Sequence, residues 1–277
     1  MFKKKIFNRG LLYLALIVFA VVSFFPVVWM FITSIKTSYE IYSFPVVYIP
    51  SKVTLRNYIS VFLENPFGKF FLNSCIVAGT STIICLVLSV LTAYGLSRFN
   101  LKVSLLILVF FLGCFTIPYI SNIIPLFIIY RRFGLLNSYV SLILPYAAYN
   151  LPFGVWFCTA YFRDIPKSIE DAAKIDGCSR FGMLWYILLP LAKPVISTVS
   201  IITFVWCWNE FLYALIMISK NEVRTIPAGI TLYPGEYEFP WNTISAATII
   251  AIIPIILFIL IFQKKIISGL TSGAVKY

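Results

Sequence analysis

The sequence predicts an all-α polytopic membrane protein with six transmembrane helices. Hydrophobic residues make up 61% of the chain and charged residues only 12%, a balance typical of proteins that face lipid. Several apolar runs exceed the roughly 18 residues that a helix needs to cross the hydrocarbon core. The basic residues lie beside these runs, and no stretch resembles a soluble domain. We therefore assign residues 1–277 to a single transmembrane domain.

Three predicted spans lie in the first half of the chain. The first covers residues 11–32 and follows four basic residues. A signal peptide also begins with basic residues, but its apolar core is usually about 7–15 residues long, so this run is a retained span. The second span covers 71–96 and the third 103–130. Because Pro118 and Pro125 interrupt the third, we expect it to be kinked or to end at the outer interface.

The second half of the chain holds three more predicted spans, at 139–161, 195–219 and 241–262. A charged loop, residues 163–194, separates the first two, and a loop rich in proline and glycine, residues 220–240, separates the last two. Lys and Arg are more numerous beside the segments that share a side with the N-terminus than beside the others. The positive-inside rule then places both termini and the 163–194 loop in the cytoplasm, and the 220–240 loop outside.

The cytoplasmic loop has the pattern of two short helices. Ser168 is placed to cap a helix over residues 169–176, and Gly177 is placed to end it. A second helix is predicted from a cap at Ser179 toward Pro190. Small side chains and carboxylates share one side of the first helix, which suits insertion into a groove of another protein. The alternative is an ordinary solvated loop with two helical turns.

Specific motifs decide between these alternatives. Asp171-Ala172-Ala173, then Gly177, then Ile187-x-Leu189-Pro190 resembles the EAA coupling loop of ABC importer permeases, with Asp171 in place of the usual Glu. Residues 50–58 (PSKVTLRNY), 93–99 (AYGLSRF) and the C-terminal GLTSGAVK are similar to the carbohydrate, maltose-type branch of that family. The chain is thus identified as a member of the carbohydrate ABC importer inner-membrane permeases, with the ABC type I importer permease fold.

The resemblance implies a function and a set of partners. The chain would form the translocation path for a sugar or oligosaccharide together with a second permease subunit, as a heterodimer in the cell membrane. Two ABC ATPase subunits would hydrolyse ATP, and an extracellular or periplasmic solute-binding protein would deliver the sugar. The residues implied in coupling to the ATPase are Glu170, Asp171, Ala172, Ala173, Asp176, Gly177 and Pro190.

The chain offers little for catalysis or for cofactors. It has no histidine, no Walker-type phosphate loop and no cysteine pair with metal-ligand spacing, so we expect no catalytic residues, no metal site and no cofactor. The six cysteines are interpreted as reduced core residues. The net charge of +12 is explained by contact with membrane lipid and does not indicate nucleic acid.

One carboxylate, Glu210, falls inside a predicted span. An acidic residue in the bilayer is costly and normally faces a cavity or a polar partner. Asn209 and Glu210 are therefore candidates for the translocation path. The open alternative is an interhelical hydrogen bond, or a residue that snorkels to the outer interface within an aromatic belt. A different function is also open at this point: a self-sufficient secondary transporter that uses Glu210 as its coupling carboxylate.

The outer loop is the expected contact for the solute-binding protein. It is about 20 residues long, against a usual 2–8 for a helix connection. Tyr233, Pro234, Gly235 and Tyr237 are the candidate contacts, because a turn at Pro234-Gly235 would display the two tyrosines at a protruding tip. The alternative is an aromatic belt that anchors the last span at the membrane surface.

Overall fold

A computed structural model describes residues 2–99, 102–233 and 239–271, with side chains for 10–99, 102–233 and 239–261. Within these ranges the chain is helical and holds no β-strand, so the all-α prediction is confirmed. In chain order the helices are α1 (Phe2–Ser34), α2 (Ser38–Ile41), α3 (Arg56–Leu63), α4 (Phe67–Arg98), α5 (Ser104–Thr116), α6 (Ile123–Arg132), α7 (Val140–Asp164), α8 (Lys167–Ile175), α9 (Arg180–Leu191), α10 (Lys193–Asn209), α11 (Leu212–Met217), α12 (Ile226–Ile230) and α13 (Trp241–Thr271).

Four of the described helices are long and apolar enough to cross a membrane: α1, α4, α7 and α13. Two bent pairs raise the number to six if each pair counts as one span. In one pair, α5 meets the segment Tyr119–Arg132 at 87°, and in the other α9 meets α10 at 77°. Length and composition thus give the described chain four to six spans. The assignment of the whole chain to one transmembrane domain stays a prediction.

The break in the third span lies at Pro118. Ile117, which precedes it, has the extended backbone angles φ −70° and ψ 123°, as sterics require of a residue before proline. Pro125 interrupts nothing, because it lies in the first turn of α6, where the missing N–H would have no partner in the helix.

The fifth span differs from its prediction. A continuous helix over 195–219 was expected, but α10 ends at Asn209 and a separate short helix, α11, begins at Leu212. Glu210 between them is extended, with φ −66° and ψ 129°. The side chain of Glu210 stabilises the break, because it accepts hydrogen bonds from the backbone N–H groups of Tyr213 and Ala214 in α11.

The described residues divide into two compact units, which we treat separately. The first comprises the chain as far as Gly68 together with Ile230–Ile253. A buried polar network holds it together around Asn57. The Asn57 amide nitrogen donates to the carbonyls of Ser34 and Lys36, both at 2.8 Å, and its oxygen accepts from Asn242 at 2.9 Å. These bonds satisfy the backbone groups left free at the end of α1.

Glu40, in α2 of the first unit, is a buried carboxylate with several donors. It accepts from the Ser51 hydroxyl, from the Ser51 backbone N–H at 2.8 Å and from the Thr37 backbone N–H at 3.3 Å. The hydrogen bonds from Ser51 are the main reason that the pKa of Glu40 is lowered from 4.5 to about 2. The ionised form of Glu40 therefore stabilises the segment that follows α1.

Glu40→Gln is expected to lower the melting temperature of the purified protein at pH 7. Because the folded pKa is depressed, this stabilisation is complete above pH 4.5 and is lost as the pH falls toward 2. The gap between wild type and variant should therefore narrow over that interval, as scanning fluorimetry in detergent would measure. Glu64→Gln, at an exposed carboxyl in the same unit, is the control and should change little. A gap that widens in acid would contradict the role of Glu40.

The second unit comprises Lys69–Gly229 together with the chain from Pro254 onward. Its core joins α4, α7, α9 and α10 through ten buried apolar side chains: Val90, Ala93, Cys158, Phe162, Ile165, Leu184, Leu188, Ala192, Val195 and Val199. The core thus extends from the membrane spans into the loop predicted to be cytoplasmic. Residues on both sides of α8 belong to it.

Helices α4 and α7 approach each other closely at Gly154. A Cβ atom built on Gly154 would lie 2.2 Å from the Ser89 hydroxyl oxygen and 3.3 Å from a Val199 methyl group. Small residues are typical where membrane helices cross, because van der Waals packing rather than the hydrophobic effect drives helix association in lipid. The contact fixes the position of α4 against α7, the helix that leads to the loop predicted to be cytoplasmic.

Candidate functional site

The loop predicted to be cytoplasmic forms a short amphipathic helix, α8, between α7 and α9. The predicted cap at Ser168 is wrong, because α8 begins two residues after Ile165, directly behind Pro166, and Ser168 lies inside it. Pro166 precedes the helix with the extended angles φ −58° and ψ 133°, and it provides no side-chain cap for the first N–H groups of α8. The predicted cap at Ser179 is confirmed, since its hydroxyl accepts from the Gly182 N–H at 3.1 Å.

Gly177 ends α8 with a Schellman motif. Its φ of +78° lies in the left-handed region that glycine adopts without strain. The Gly177 N–H donates to the Lys174 carbonyl at 3.0 Å, and the Cys178 N–H donates to the Ala173 carbonyl at 2.9 Å. No heavy atom lies within 4 Å of a Cβ built on Gly177, so its surroundings are open.

The two faces of α8 divide the residues predicted to couple to the ATPase. Five of them are exposed, namely Asp171, Ala172, Asp176, Gly177 and Pro190. The other two, Glu170 and Ala173, lie three residues apart on the opposite face and are buried. A docking protein could therefore touch the first group and not the second.

Glu170 is turned inward by an ion pair. Its carboxylate contacts the Arg98 guanidinium, and the two side chains are 7% and 6% exposed. Arg98 also donates to the Ile165 carbonyl at 3.1 Å. The sequence could not show this pairing, because 72 residues would have to be bridged by tertiary structure. Glu170 is therefore an anchor of α8 rather than part of its free face.

The free face of α8 is charged. The Lys174 ammonium donates to the Asp171 carboxylate at 2.8 Å, and both side chains are exposed. This hydrogen bond is the main cause that lowers the pKa of Asp171 and raises the pKa of Lys174. Both groups are thus ionised at neutral pH, and they offer an exposed pair of opposite charges.

Large apolar side chains are exposed beside these charges. Ile175 is 86% exposed at the end of α8, and Phe181 and Trp185 are exposed on α9, where their rings stack with centroids 6.2 Å apart. In the sequence, Phe181 and Trp185 share the i, i+3, i+4, i+7 spacing of one helix face with Leu184 and Leu188. Only the latter two are buried. An exposed apolar patch of this kind typically marks a protein interface.

Comparisons with known proteins fit this geometry. The family model described as "Binding-protein-dependent transport system inner membrane component" matches residues 85–271, which include α8 and most of the second unit. The chain belongs to this family. As a member it is a multi-pass membrane permease component of an import system, and the alternative of a self-sufficient secondary transporter is not supported.

Individual relatives extend over nearly the whole chain. A sulfoquinovosyl glycerol transport system permease protein of Agrobacterium fabrum is 42% identical over 97% of this chain and 94% of its own length. A trehalose/maltose transport system permease protein of Thermococcus litoralis is 37% identical over 99% of both. The predicted resemblance to carbohydrate ABC importer permeases is confirmed.

Solved structures support the fold. A chain of a bacterial ABC transporter involved in the import of the acidic polysaccharide alginate superposes with a TM-score of 0.80, at 22% identity, over 94% of this chain and 96% of that one. A chain of a bacterial alginate ABC transporter in complex with its pentasaccharide-bound periplasmic protein gives 0.68 at 15% identity, over 93% and 94%. The ABC importer permease fold is therefore confirmed.

In this permease, Asn209 and Glu210 have different surroundings. The Glu210 carboxylate is buried and accepts from the Tyr146 hydroxyl, from the Tyr213 N–H at 2.9 Å and from the Ala214 N–H at 3.4 Å. It thereby caps the first turn of α11, where N–H groups lack helical partners. The Asn209 side chain is exposed and donates to the Val205 carbonyl at 2.8 Å.

Aromatic side chains join the breaks in the third and fifth spans. Tyr119, which follows the break at Pro118, packs against Tyr149, Trp206 and Tyr213 with ring centroids 5.5, 5.9 and 6.1 Å away. Tyr149 and Trp206 stack at 4.8 Å, and the Tyr213 hydroxyl donates to the Tyr119 carbonyl at 3.0 Å. Next to this cluster lies a cavity of about 400 Å³ lined in part by Cys114, Asn122 and Pro152.

The candidate contacts of the 220–240 loop, which is predicted to lie outside, are only partly described. Tyr233 is buried, at 5% exposure, so the expectation of an exposed tyrosine at this position is wrong. Pro234, Gly235 and Tyr237 lie outside the described residues. Exposed aromatics of the same unit are found nearby in sequence, at Phe239 and Trp241. Among the described residues no group of His, Cys, Asp and Glu side chains could hold a metal ion.

Proposed function

We propose that this chain is the permease subunit of an ATP-driven sugar importer, and that α8 couples its membrane spans to an ATPase subunit. The observation that carries the proposal is the two-faced character of α8. One face is anchored through Glu170, while the other displays Asp171, Ala172 and Ile175. Such a short helix, exposed beyond the spans, fits a groove on a soluble partner.

Three kinds of contact on the free face suit an ATPase partner. The Asp171 carboxylate and Lys174 ammonium offer directional hydrogen bonds, and Ile175 offers an apolar anchor. The small side chain of Ala172 and the missing side chain of Gly177 permit a close approach. Phe181 and Trp185 would add area at the rim. Two ATPase subunits, one for this chain and one for a second permease, complete the proposed complex.

The proposed translocation path involves Asn209 and Glu210 in different ways. Asn209 is exposed at the end of α10 and can meet a hydroxylated solute directly. The groups that donate hydrogen bonds to the Glu210 carboxylate belong to this chain, and the carboxylate stabilises the break between α10 and α11. The names of the relatives refer to sulfoquinovosyl glycerol, trehalose and maltose, which supports a sugar or oligosaccharide as the solute.

Affinity purification tests the proposed assembly. A tagged form of this chain, expressed with the neighbouring transport genes of its host, is expected to purify in mild detergent with a second permease and two ATPase subunits. The mass of the complex, measured by mass photometry, gives the stoichiometry. Purification of the chain alone, with full sugar transport in liposomes, would contradict the proposal.

The outer loop is proposed to contact the solute-binding protein through Pro234, Gly235 and Tyr237. Support comes from exposed aromatic side chains elsewhere in the same unit, at Tyr39, Phe44 and Phe239, since aromatics are enriched at protein interfaces. Their role in an aromatic belt at the membrane surface is the competing explanation.

Replacing residues 234–238 with a Gly/Ser linker of equal length is expected to weaken the stimulation of ATP hydrolysis by the loaded binding protein. Basal hydrolysis should remain, because the change leaves the sequence of α8 intact. Phe133→Ala is the matched control, since Phe133 is an exposed aromatic in another turn predicted to lie outside. Unchanged stimulation in the linker variant would show that the loop is only a spacer.

A further inference from the structure

The motif at residues 93–99 lies at the end of α4, where three of its side chains contact the loop around α8. We propose that Tyr94, Arg98 and Phe99, the α4 clamp, position α8 by fastening the chain on both sides of it to the second span. Movement of α8 with a docked ATPase would then be transmitted to α4. The inference rests on the proposed coupling function and adds the residues that carry the motion into the membrane.

The first half of the clamp is the Arg98 side chain. It forms the buried ion pair with Glu170, in the first turn of α8, and donates to the carbonyl of Ile165, which precedes the helix, at 3.1 Å. One planar guanidinium thus binds two points of the chain that enters α8, which a lysine could not reproduce. Both charged side chains are almost inaccessible, so water cannot replace either partner.

The second half of the clamp holds Arg180, at the start of α9. The Tyr94 hydroxyl donates to the Arg180 carbonyl at 3.3 Å. The Arg180 guanidinium lies 5.1 Å from the centroid of the Phe99 ring, a distance typical of a cation–π contact, and the Tyr94 and Phe99 rings pack edge to face at 5.9 Å. The chain that leaves α8 is therefore fastened to the same end of α4.

The need for such a clamp follows from the size of α8. A helix of nine residues is marginal on its own, and the residues of its free face, Asp171, Ala172 and Ile175, are exposed. A buried ion pair adds little net stability compared with an apolar pair, but it specifies geometry, and loss of one partner leaves a buried charge unpaired. We assign Arg98 and Glu170 this positioning role.

Arg98→Gln tests the first half of the clamp. Uptake of sugar per ATP hydrolysed, measured on assembled complexes in proteoliposomes, is expected to fall at least about tenfold, the lower limit of what one charged hydrogen bond is worth. Arg98→Lys keeps the charge but not the second contact and should show a smaller loss. Gly95→Ala is the matched control in the same turn, because a Cβ at Gly95 meets no atom within 4 Å, and its ratio should equal that of wild type.

The combined change Tyr94→Leu and Phe99→Leu tests the second half without disturbing the buried charges. It is expected to lower the uptake of sugar per ATP hydrolysed several-fold. If Arg98→Gln does not assemble, this variant alone tests the α4 clamp. A wild-type ratio in assembled Arg98→Gln, or in the leucine pair when Arg98→Gln is unassembled, overturns the clamp. Failure of the wild-type complex to couple uptake to ATP would instead refute the proposed function itself.

Discussion

Gly177→Val is expected to abolish most sugar uptake while the variant permease still inserts and assembles. Gly177 has φ +78°, and a side chain in that left-handed region costs about 1–2 kcal/mol, more for a β-branched residue. This strain is most easily relieved by a change of backbone conformation at the end of α8, which would move Asp176 and Ile175 out of their proposed docking positions. A cost of 1–2 kcal/mol corresponds to a factor of about 5–30 in the population of the docked geometry. Uptake and ATP hydrolysis, each normalised to the amount of assembled complex, measure the effect.

The chain contains a closely matched control for this substitution. Gly134 ends α6 with φ +67° and the same Schellman hydrogen bonds: Gly134 N–H to the Arg131 carbonyl at 3.2 Å, and Leu135 N–H to the Tyr130 carbonyl at 2.8 Å. A Cβ at Gly134 also meets no atom within 4 Å. Gly134→Val therefore carries the same strain at a turn predicted to lie outside. If it uncouples hydrolysis from uptake as strongly as Gly177→Val, or if Gly177→Val transports normally, α8 is not the coupling element.

Glu210→Leu is expected to reduce the amount of assembled complex severely. The Tyr146 hydroxyl and the N–H groups of Tyr213 and Ala214 would lose their buried acceptor, and each unsatisfied group costs about 1–3 kcal/mol. Glu210→Gln keeps a carbonyl oxygen that can accept, so its assembly should be close to normal. Membrane-extracted complex, quantified by size-exclusion chromatography, separates the two outcomes.

The adjacent residue provides the comparison for Glu210. Asn209 is exposed, and Asn209→Leu leaves no buried group unsatisfied, so the complex should assemble. Its sugar uptake should fall if Asn209 meets the solute. Normal assembly of Glu210→Leu would show that the break between α10 and α11 does not depend on this carboxylate.

The membrane character of the chain and the place of α8 were predictable because they depend on local patterns. Long apolar runs can be recognised as spans from composition alone. The end of α8 at Gly177 follows because glycine adopts φ > 0 without strain. The start of α8 was predicted wrongly, because the capping pattern at Ser168 and the proline at Pro166 both indicate a helix start, two residues apart. Both signals were present at Pro166 and Ser168, and the sequence alone does not rank them.

The features that sequence did not show are long-range pairings. Glu170 looks like its neighbour Asp171 in the sequence, and only the partner Arg98, which tertiary folding brings from α4, turns one inward and leaves the other free. In the sequence, Glu210 likewise resembles a carboxylate on a translocation path. Only the structure shows that it accepts hydrogen bonds from Tyr146 and from α11. The helical period of 3.6 residues predicts which residues share a face, but the neighbouring helix determines which face is buried.

Reconstitution in liposomes tests whether this chain imports sugar only as the permease of an ATP-driven complex. Proteoliposomes would hold either this chain alone or this chain with its second permease and ATPase subunits, with binding protein on the outside and ATP on the inside. Uptake of labelled sugar is expected only in the complete system, only with ATP and binding protein, and not in Gly177→Val. Uptake by the chain alone, driven by an ion gradient and independent of ATP, would contradict it.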